Sequence, residues 1–225
     1  MTSHRIFIKT ILLFLWCMVS LAFTSCDRVY YYHVDSYILG YNSINDITLK
    51  NYGSIDGLPR IELRAGGGGL ISFRSTGEEK KEYDRLCKKH NDIGYNRRVG
   101  LLVDEIFDRG FCPDIVGIDI TTLDFFDKDH YAGDPANDIF TLRYVTAADY
   151  IDSHYKDEES LATREKLISE ISGPELAMLM DTDGLYILPT CFPTFAEKVN
   201  IQVTLRLETG KSVSDTIEIK FSKKS

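Results

Sequence analysis

The sequence has little of what marks several common classes of protein. It has one tryptophan, Trp16, and six prolines among 225 residues, and its 26 lysines and arginines are outnumbered by 34 aspartates and glutamates. A formal charge of −8 makes the chain a poor electrostatic partner for nucleic acid. A hydrophobic fraction of 44% is too high for a disordered chain. The composition therefore predicts a folded protein that does not bind nucleic acid.

The sequence also lacks the short motifs of well-known enzyme and metal sites. Its histidines form no HExxH motif, no GxSxG element is present, and no CxxC pair suggests zinc. Gly66–Gly69 could approach a phosphate, but no Lys-Ser/Thr follows, so a hairpin turn or bulge is preferred. We therefore expect no catalytic residues, no resident cofactor and a non-catalytic protein.

The first 25 residues have the three-part pattern of a secretion signal. Arg5 and Lys9 make a short basic start, Thr10–Phe23 is almost entirely apolar, and small polar residues precede Cys26. The apolar stretch is 14 residues long, whereas a membrane-spanning helix needs about 20. We therefore expect residues 1–25 to be a signal peptide rather than a permanent anchor helix.

The end of this segment, Ala22–Cys26, resembles a bacterial lipobox, in the looser form common in lipoproteins of Bacteroidota, where a Ser-Cys-Asp ending is frequent. The resemblance implies cleavage before Cys26 and lipidation of its thiol and new amino terminus. Two or three acyl chains hold a protein firmly to a bilayer. The expected location is the outer membrane, with the periplasmic face favoured over the cell surface. The alternative is a secreted protein in which Cys26 forms a disulfide.

Cleavage at this point would leave residues 26–225, with 24 bases against 34 acids and a formal charge of −10. Two hundred residues are enough for one domain with its own core. Three cysteines would remain besides Cys26, namely Cys87, Cys112 and Cys191. An odd number allows at most one disulfide among them, and buried free thiols are the favoured interpretation.

Alternating apolar and polar residues predict a largely β domain. The alternation is clearest over Val199–Leu207; Thr209–Lys211 then turns the chain, and Ile217–Phe221 alternates again. This pattern predicts a closing antiparallel hairpin. Further strands are expected over Arg28–Tyr37, Arg60–Ala65, Leu70–Arg74, Arg98–Phe107, Asp114–Thr122 and Leu185–Leu188.

Two regions have helical patterns. Thr76–Glu79 fits a capping box that opens a helix over Gly77–His90. The second region, 146–180, contains a predicted helix over Glu159–Ile171 and a capped turn that begins at Ser172. The predicted fold is mainly β with helical insertions (α+β), an Ig-like antiparallel β-sandwich. We expect a single domain over 26–225 with helical insertions near 77–90 and 146–180.

The most distinctive stretch is Leu123–Phe140, which we call the acidic loop. Such a density of oxygen ligands could bind calcium, although no fixed ligand spacing is met. The favoured interpretation is a loop whose Asp and Asn side chains cap its own turns. The candidate calcium ligands are Asp124, Asp127, Asp129, Asp134 and Asp138.

The same region, Asp114–Tyr144, resembles a segment of uncharacterised Bacteroidota envelope lipoproteins, a domain of unknown function. In those proteins a strand precedes a loop of the form D…HPAG…LND-F. The matching residues are Ile115–Thr121, Asp127, His130, Ala132-Gly133 and Asn137–Phe140. Tyr131 stands where proline is usual, and Ala136 where leucine is usual. The C-terminal hairpin from Phe195 resembles the same proteins. The resemblance implies no activity and no functional residues.

Three functions are compatible with these patterns. The favoured one is a non-catalytic interaction or assembly module of the bacterial envelope, bound to the bilayer through Cys26. The second is a glycan-binding lipoprotein of a carbohydrate uptake system, in which tyrosines such as Tyr30–Tyr32 would replace tryptophan as stacking platforms. The third is a hydrolase that uses Asp, Glu or Cys, which the motif search disfavours.

The lipid anchor gives a direct prediction. Cys26→Ala removes the thiol that would be acylated, so the variant should leave the membrane fraction and appear in the soluble fraction. Cell fractionation and immunoblotting measure the distribution, and Cys17→Ala, inside the apolar stretch, is the matched control. A Cys26→Ala protein that stays in the membrane fraction would contradict the anchor.

Overall fold

The structure is a computed structural model that describes residues 31–100, 108–181 and 184–222. The predicted signal peptide and Cys26 lie outside the described residues. The chain divides into two compact units, Met1–Tyr32 with Val99–Asp104, and His33–Arg98 with Glu105–Ser225. The described residues are mainly β, with 49% in strands and 16% in helices, as predicted.

Eleven strands are found among the described residues, and they form three sheets. They are β1 (Tyr31–Val34), β2 (Gly40–Ile55), β3 (Leu58–Ser72), β4 (Arg97–Gly100), β5 (Arg109–Cys112), β6 (Ile115–Thr122), β7 (Phe140–Tyr144), β8 (Arg164–Leu167), β9 (Leu185–Pro189), β10 (Lys198–Leu207) and β11 (Ser212–Lys220). Strands β1 and β4 form a two-stranded sheet. A three-stranded sheet has the order β11-β10-β6, and a six-stranded sheet has the order β5-β2-β3-β9-β7-β8.

The predicted C-terminal hairpin is confirmed. Strands β10 and β11 pair antiparallel, and β10 pairs antiparallel with β6 on its other side. The side chains that alternate inward from β10 are almost completely buried. They join inward residues of the six-stranded sheet, such as Leu63 on β3 and Leu142 on β7, in one hydrophobic cluster. Both larger sheets therefore contribute to the same core.

One strand pair departs from the predicted antiparallel arrangement. Strand β5 runs parallel to the start of β2, with Gly40–Ser43 opposite Arg109–Cys112. A parallel pair requires a long crossover connection. Strand β3 and helix α1 (Gly77–Lys89) lie in the chain between these two segments.

The glycines of Gly66–Gly69 lie within β3 and do not form the hairpin turn. The turn that joins β2 to β3 is at Asp56 and Gly57, which both have positive φ. Register shifts opposite Gly67 mark the glycine run as the irregular, bulged part of the pair. Gly67 has a φ of +86°, a conformation that residues other than glycine rarely adopt, so the bulge favours glycine at this position.

Helix α1 confirms the predicted helix near 77–90. It begins after Thr76, which is its N-cap, and it buries Tyr83, Leu86 and Cys87 on one face. Two five-residue helices follow, α2 (Ala148–Asp152) and α3 (Gly173–Ala177). None of the helices among the described residues is both long and apolar enough to cross a membrane.

The predicted helix over Glu159–Ile171 is wrong. Those residues form a 3₁₀ turn (Glu158–Leu161), strand β8 and a second 3₁₀ turn (Ile168–Glu170). A tertiary contact explains the difference. The buried carboxylate of Glu175 contacts two basic side chains that lie on the same side of β8. Glu175 Oε1 accepts hydrogen bonds from Arg164 at 2.9 Å and from Lys166 at 2.8 Å. Residues two apart share one side of a strand but not of a helix, so this contact favours the strand.

Glu175 also joins neighbouring elements. It accepts a hydrogen bond from the Tyr144 hydroxyl at 3.0 Å and closes a capping box with Ser172 at the start of α3. Burial raises the pKa of Glu175, but hydrogen bonds from Lys166 and Ser172 outweigh this effect and lower the pKa to about 2. The carboxylate is therefore charged over the whole physiological range.

Glu175→Gln should lower the free energy of unfolding at pH 7 by about 2–3 kcal/mol, because it removes the charged acceptor of two bases. A group whose pKa is lowered on folding stabilises the fold above its ordinary pKa of 4.5, and this contribution disappears as the pH falls toward 2. Urea titrations between pH 2 and pH 7 should show the difference from wild type shrinking with acid. The exposed Glu170→Gln is the control, and an equal loss there would contradict the role of Glu175.

Candidate functional site: the acidic loop and its aromatic surface

The acidic loop connects β6 to β7 and is fixed at several points by hydrogen bonds. Leu123 N donates to Asn200 O on β10 at 2.8 Å. The Asn137 side chain accepts from Ile120 N at 2.7 Å and donates to Ile118 O at 2.9 Å, so that it pairs with the β6 backbone like a further strand residue. The loop is therefore attached to the sheet that contains β10.

His130 lies at the centre of the loop and is buried. Its Nδ1 lies 2.8 Å from Asp127 Oδ1, and its Nε2 lies 3.1 Å from Asp138 Oδ1. A doubly protonated ring donates to both carboxylates at once. Burial lowers the pKa of His130, but the two hydrogen bonds outweigh this effect and hold the pKa above its ordinary value. The imidazolium form thus joins two distant parts of the loop.

Most of the candidate calcium ligands are engaged within the protein. Asp124 accepts from the backbone and side-chain nitrogens of Asn200, each at 2.8 Å, and these hydrogen bonds lower its pKa. Asp127 accepts from Asp129 N and His130 N, and Asp134 accepts from Tyr131 N at 2.8 Å. Asp127 and Asp134 thus cap turns of the loop, as the favoured interpretation predicts, whereas Asp124 joins the loop to β10.

Asp138, which pairs with His130, and Asp129 are the most exposed of the five candidates, with side chains 65% and 71% exposed. Among the described residues, no group of three or more His, Cys, Asp or Glu side chains is arranged to hold a metal ion. Calcium binding by the loop stays the disfavoured alternative of the sequence analysis.

Three aromatic rings meet on the outside of the acidic loop. Phe125 stacks on Phe195, with ring centroids 5.9 Å apart and planes 22° from parallel. Tyr131 contacts Phe125 edge to face at 5.4 Å. Phe195 is 84% exposed and Tyr131 is 57% exposed. We call Phe125, Tyr131 and Phe195 the aromatic surface.

The backbone holds the aromatic surface in place from two sides. Thr194 N donates to Phe126 O at 2.9 Å, which joins the segment that bears Phe195 to the loop. Thr122 Oγ1 donates to Tyr131 O at 2.8 Å. Sequence reasoning missed this surface because Phe125 and Phe195 are 70 positions apart. Phe195 lies just before the alternating residues of β10. Its place outside that pattern is the local sign in the sequence that it is not part of the core.

The cysteines have the properties of structural thiols. Cys87, Cys112 and Cys191 are free. Burial raises the pKa of Cys87 and of Cys112 to about 11 in each case. A thiol with so high a pKa is almost entirely protonated at neutral pH and is a poor nucleophile.

No protein-family model, no curated protein and no solved structure matches the chain. The resemblance of Asp114–Tyr144 to Bacteroidota lipoproteins therefore stays a prediction, and the side-chain geometry is what bears on function.

The pairing of His130 with two carboxylates predicts a pH-dependent stability. A histidine whose pKa is raised on folding stabilises the fold fully below its ordinary pKa, and the contribution is lost as the pH rises through the raised value. Between pH 6 and pH 8, the melting temperature of the wild type should fall by more than that of His130→Gln. The expected difference is about 2–4 °C for each 1 kcal/mol of lost interaction in a chain of this size.

Differential scanning calorimetry across that range measures the effect. The control is His154→Gln, which alters an exposed histidine whose ring contacts only a backbone carbonyl within the described structure. Parallel curves for wild type and His130→Gln would contradict the proposed charge state of His130.

Proposed function

We propose that the chain is a non-catalytic envelope lipoprotein that binds a protein partner through the aromatic surface. The observation that carries this proposal is the exposed contact of Phe125 and Tyr131, on a loop held by hydrogen bonds, with Phe195 on the neighbouring segment. Clustered exposed aromatic rings are typical of interaction sites, whereas single exposed apolar residues are ordinary.

The membrane anchor in this proposal rests on the sequence pattern that ends at Cys26. Only four residues separate Cys26 from the first residue of β1, Tyr31. Four extended residues span about 14 Å. A lipid-anchored protein with so short a connection would act close to the bilayer, which suits a role in envelope assembly.

A protein partner fits the aromatic surface better than a glycan does. Sugar binding combines ring stacking with polar groups that receive the sugar hydroxyls. The carboxylates of Asp124, Asp127 and Asp134 already accept hydrogen bonds from the protein itself. A phenylalanine such as Phe195 has no polar group and is suited to an apolar pocket on a partner protein.

A glycan stays the second candidate because Tyr131 is exposed and combines a ring face with a hydroxyl. The proposed architecture is the Ig-like antiparallel β-sandwich of the sequence prediction. It is supported by the single core to which both larger sheets contribute.

Phe195→Ala should weaken partner binding by at least ~10-fold, as expected for an aromatic residue at the centre of an interface. Folding should be unchanged because Phe195 makes few buried contacts. The measurement is chemical crosslinking of the full chain in envelope preparations, with quantification of each crosslinked protein by mass spectrometry. A glycan array probed with the same proteins separates the two candidates.

The matched control is Tyr52→Ala, which removes an aromatic ring that is 54% exposed elsewhere in the protein. Crosslinked partners that are lost with Phe195→Ala and kept with Tyr52→Ala support the proposal. Selective array signals that depend on Tyr131 would favour the glycan. Partners that survive Phe195→Ala, without array signals, would contradict both.

A further inference from the structure

A second feature lies on the outer face of the six-stranded sheet, away from the core. Strands β3, β7 and β9 each turn alternate side chains outward, and their register places Glu62, Tyr186 and Arg143 in one row across the sheet. Arg60, two residues before Glu62, projects from the same face of β3. Polar and aromatic groups of three strands are therefore collected at one place.

These side chains surround a cleft of about 310 Å³, which is lined by Arg60, Arg143, Thr163, Gly184 and Tyr186. The volume is at the lower end of the range for small-molecule sites. Among the described residues, the lining contains two guanidinium groups and two hydroxyl groups but no carboxylate. A site with this lining would attract a small anion.

Aromatic stacking fixes the position of the Arg60 guanidinium. Its central carbon lies 3.8 Å from the centroid of the Tyr186 ring and 4.9 Å from that of Tyr52. Stacking uses the face of the guanidinium and leaves its in-plane N–H groups to donate hydrogen bonds. Arg60 Nε is buried and has no hydrogen-bond partner among the described residues. Arg60, which lines the cleft, therefore carries a donor that the described residues leave unpaired.

The carboxylates nearest in the strand register have other partners. Glu62 pairs with Arg64 at 2.8 Å, and Glu165, which is opposite Arg143 on β8, accepts from the Thr141 hydroxyl at 3.2 Å. Within the described ranges, neither Arg60 nor Arg143 forms an ion pair. Two unpaired bases beside one cleft are unexpected in a chain whose acids outnumber its bases.

We propose that this cleft binds the oxyanion of a small molecule, a carboxylate or a phosphate. Arg143 supplies a second guanidinium, and its planar fork of donors matches the oxygens of either group. Thr163 adds a hydroxyl that can donate to the same ligand. The cleft is independent of the aromatic surface, so the small molecule is a ligand in addition to the partner of the proposed function.

Isothermal titration calorimetry of the full chain in detergent, with inorganic phosphate and with galacturonate as separate probes, tests the site. At least one probe should bind saturably with a Kd below ~10 mM, and binding should weaken as salt is raised. Arg143→Gln should weaken that binding by at least ~10-fold, because it removes a charge-assisted donor. The probe that binds identifies the type of oxyanion.

The matched control is Arg85→Gln, which removes the same charge from the exposed surface of α1, where Arg85 pairs with Glu82. Arg60→Gln is a second test, accompanied by circular dichroism because Arg60 also packs on two tyrosines. Saturable binding that is lost with Arg143→Gln and kept with Arg85→Gln supports the site. Absence of binding by both probes, or equal weakening in Arg143→Gln and Arg85→Gln, would overturn it.

Discussion

Burial of one row of apolar side chains along β10 is the interaction on which the rest of the larger unit depends. Val199, Ile201, Val203 and Leu205 are fully buried, and Leu207 is nearly so. Strand β10 is the centre of its sheet, and its inward row meets residues from the six-stranded sheet in the same cluster. Removal of this apolar area from water is the main favourable term in folding. The acidic loop, the aromatic surface and the oxyanion cleft all depend on strands positioned by this core.

Irregular segments are held by a different kind of contact, the buried or half-buried carboxylate. Glu175 organises β8 and the start of α3, and Asp127 organises the turn that contains His130. Asp92, which is fully buried, accepts from the backbone nitrogens of Tyr37 and Ile38. Each carboxylate satisfies donors that regular secondary structure leaves unpaired. Some of the acidic residues that outnumber the basic ones therefore serve to stabilise the fold.

The two proposed binding features differ in the forces that they use. The aromatic surface offers apolar area on a loop whose charges are engaged internally, which suits a partner that buries it. The cleft offers two guanidinium groups, and the carboxylates nearest to them in the strand register pair with other residues. Both features depend on how side chains pair within the protein, because that pairing decides which groups stay available to bind a partner or a ligand.

Several strands and one helix could be predicted because their patterns were regular. Strand β10 alternates without interruption, and α1 buries residues at helical spacing. The longest strand, β2, was missed. Its buried residues Tyr41, Ile44, Ile47 and Leu49 have spacings of three, three and two, since bulges interrupt the alternation. A bulge adds a residue without adding an inward side chain, so the sequence pattern loses its period.

By itself, the sequence determined the β-rich class, the C-terminal hairpin, the first helix and the acidic loop with its turn-capping aspartates. Each depends on neighbouring residues, whose spacing is visible in the chain. The tertiary structure alone decided that Glu159–Ile171 is not a helix, that Phe125 meets Phe195, and that Arg60 and Arg143 face one cleft. These outcomes depend on contacts between residues far apart in the chain, and only the folded backbone sets those distances.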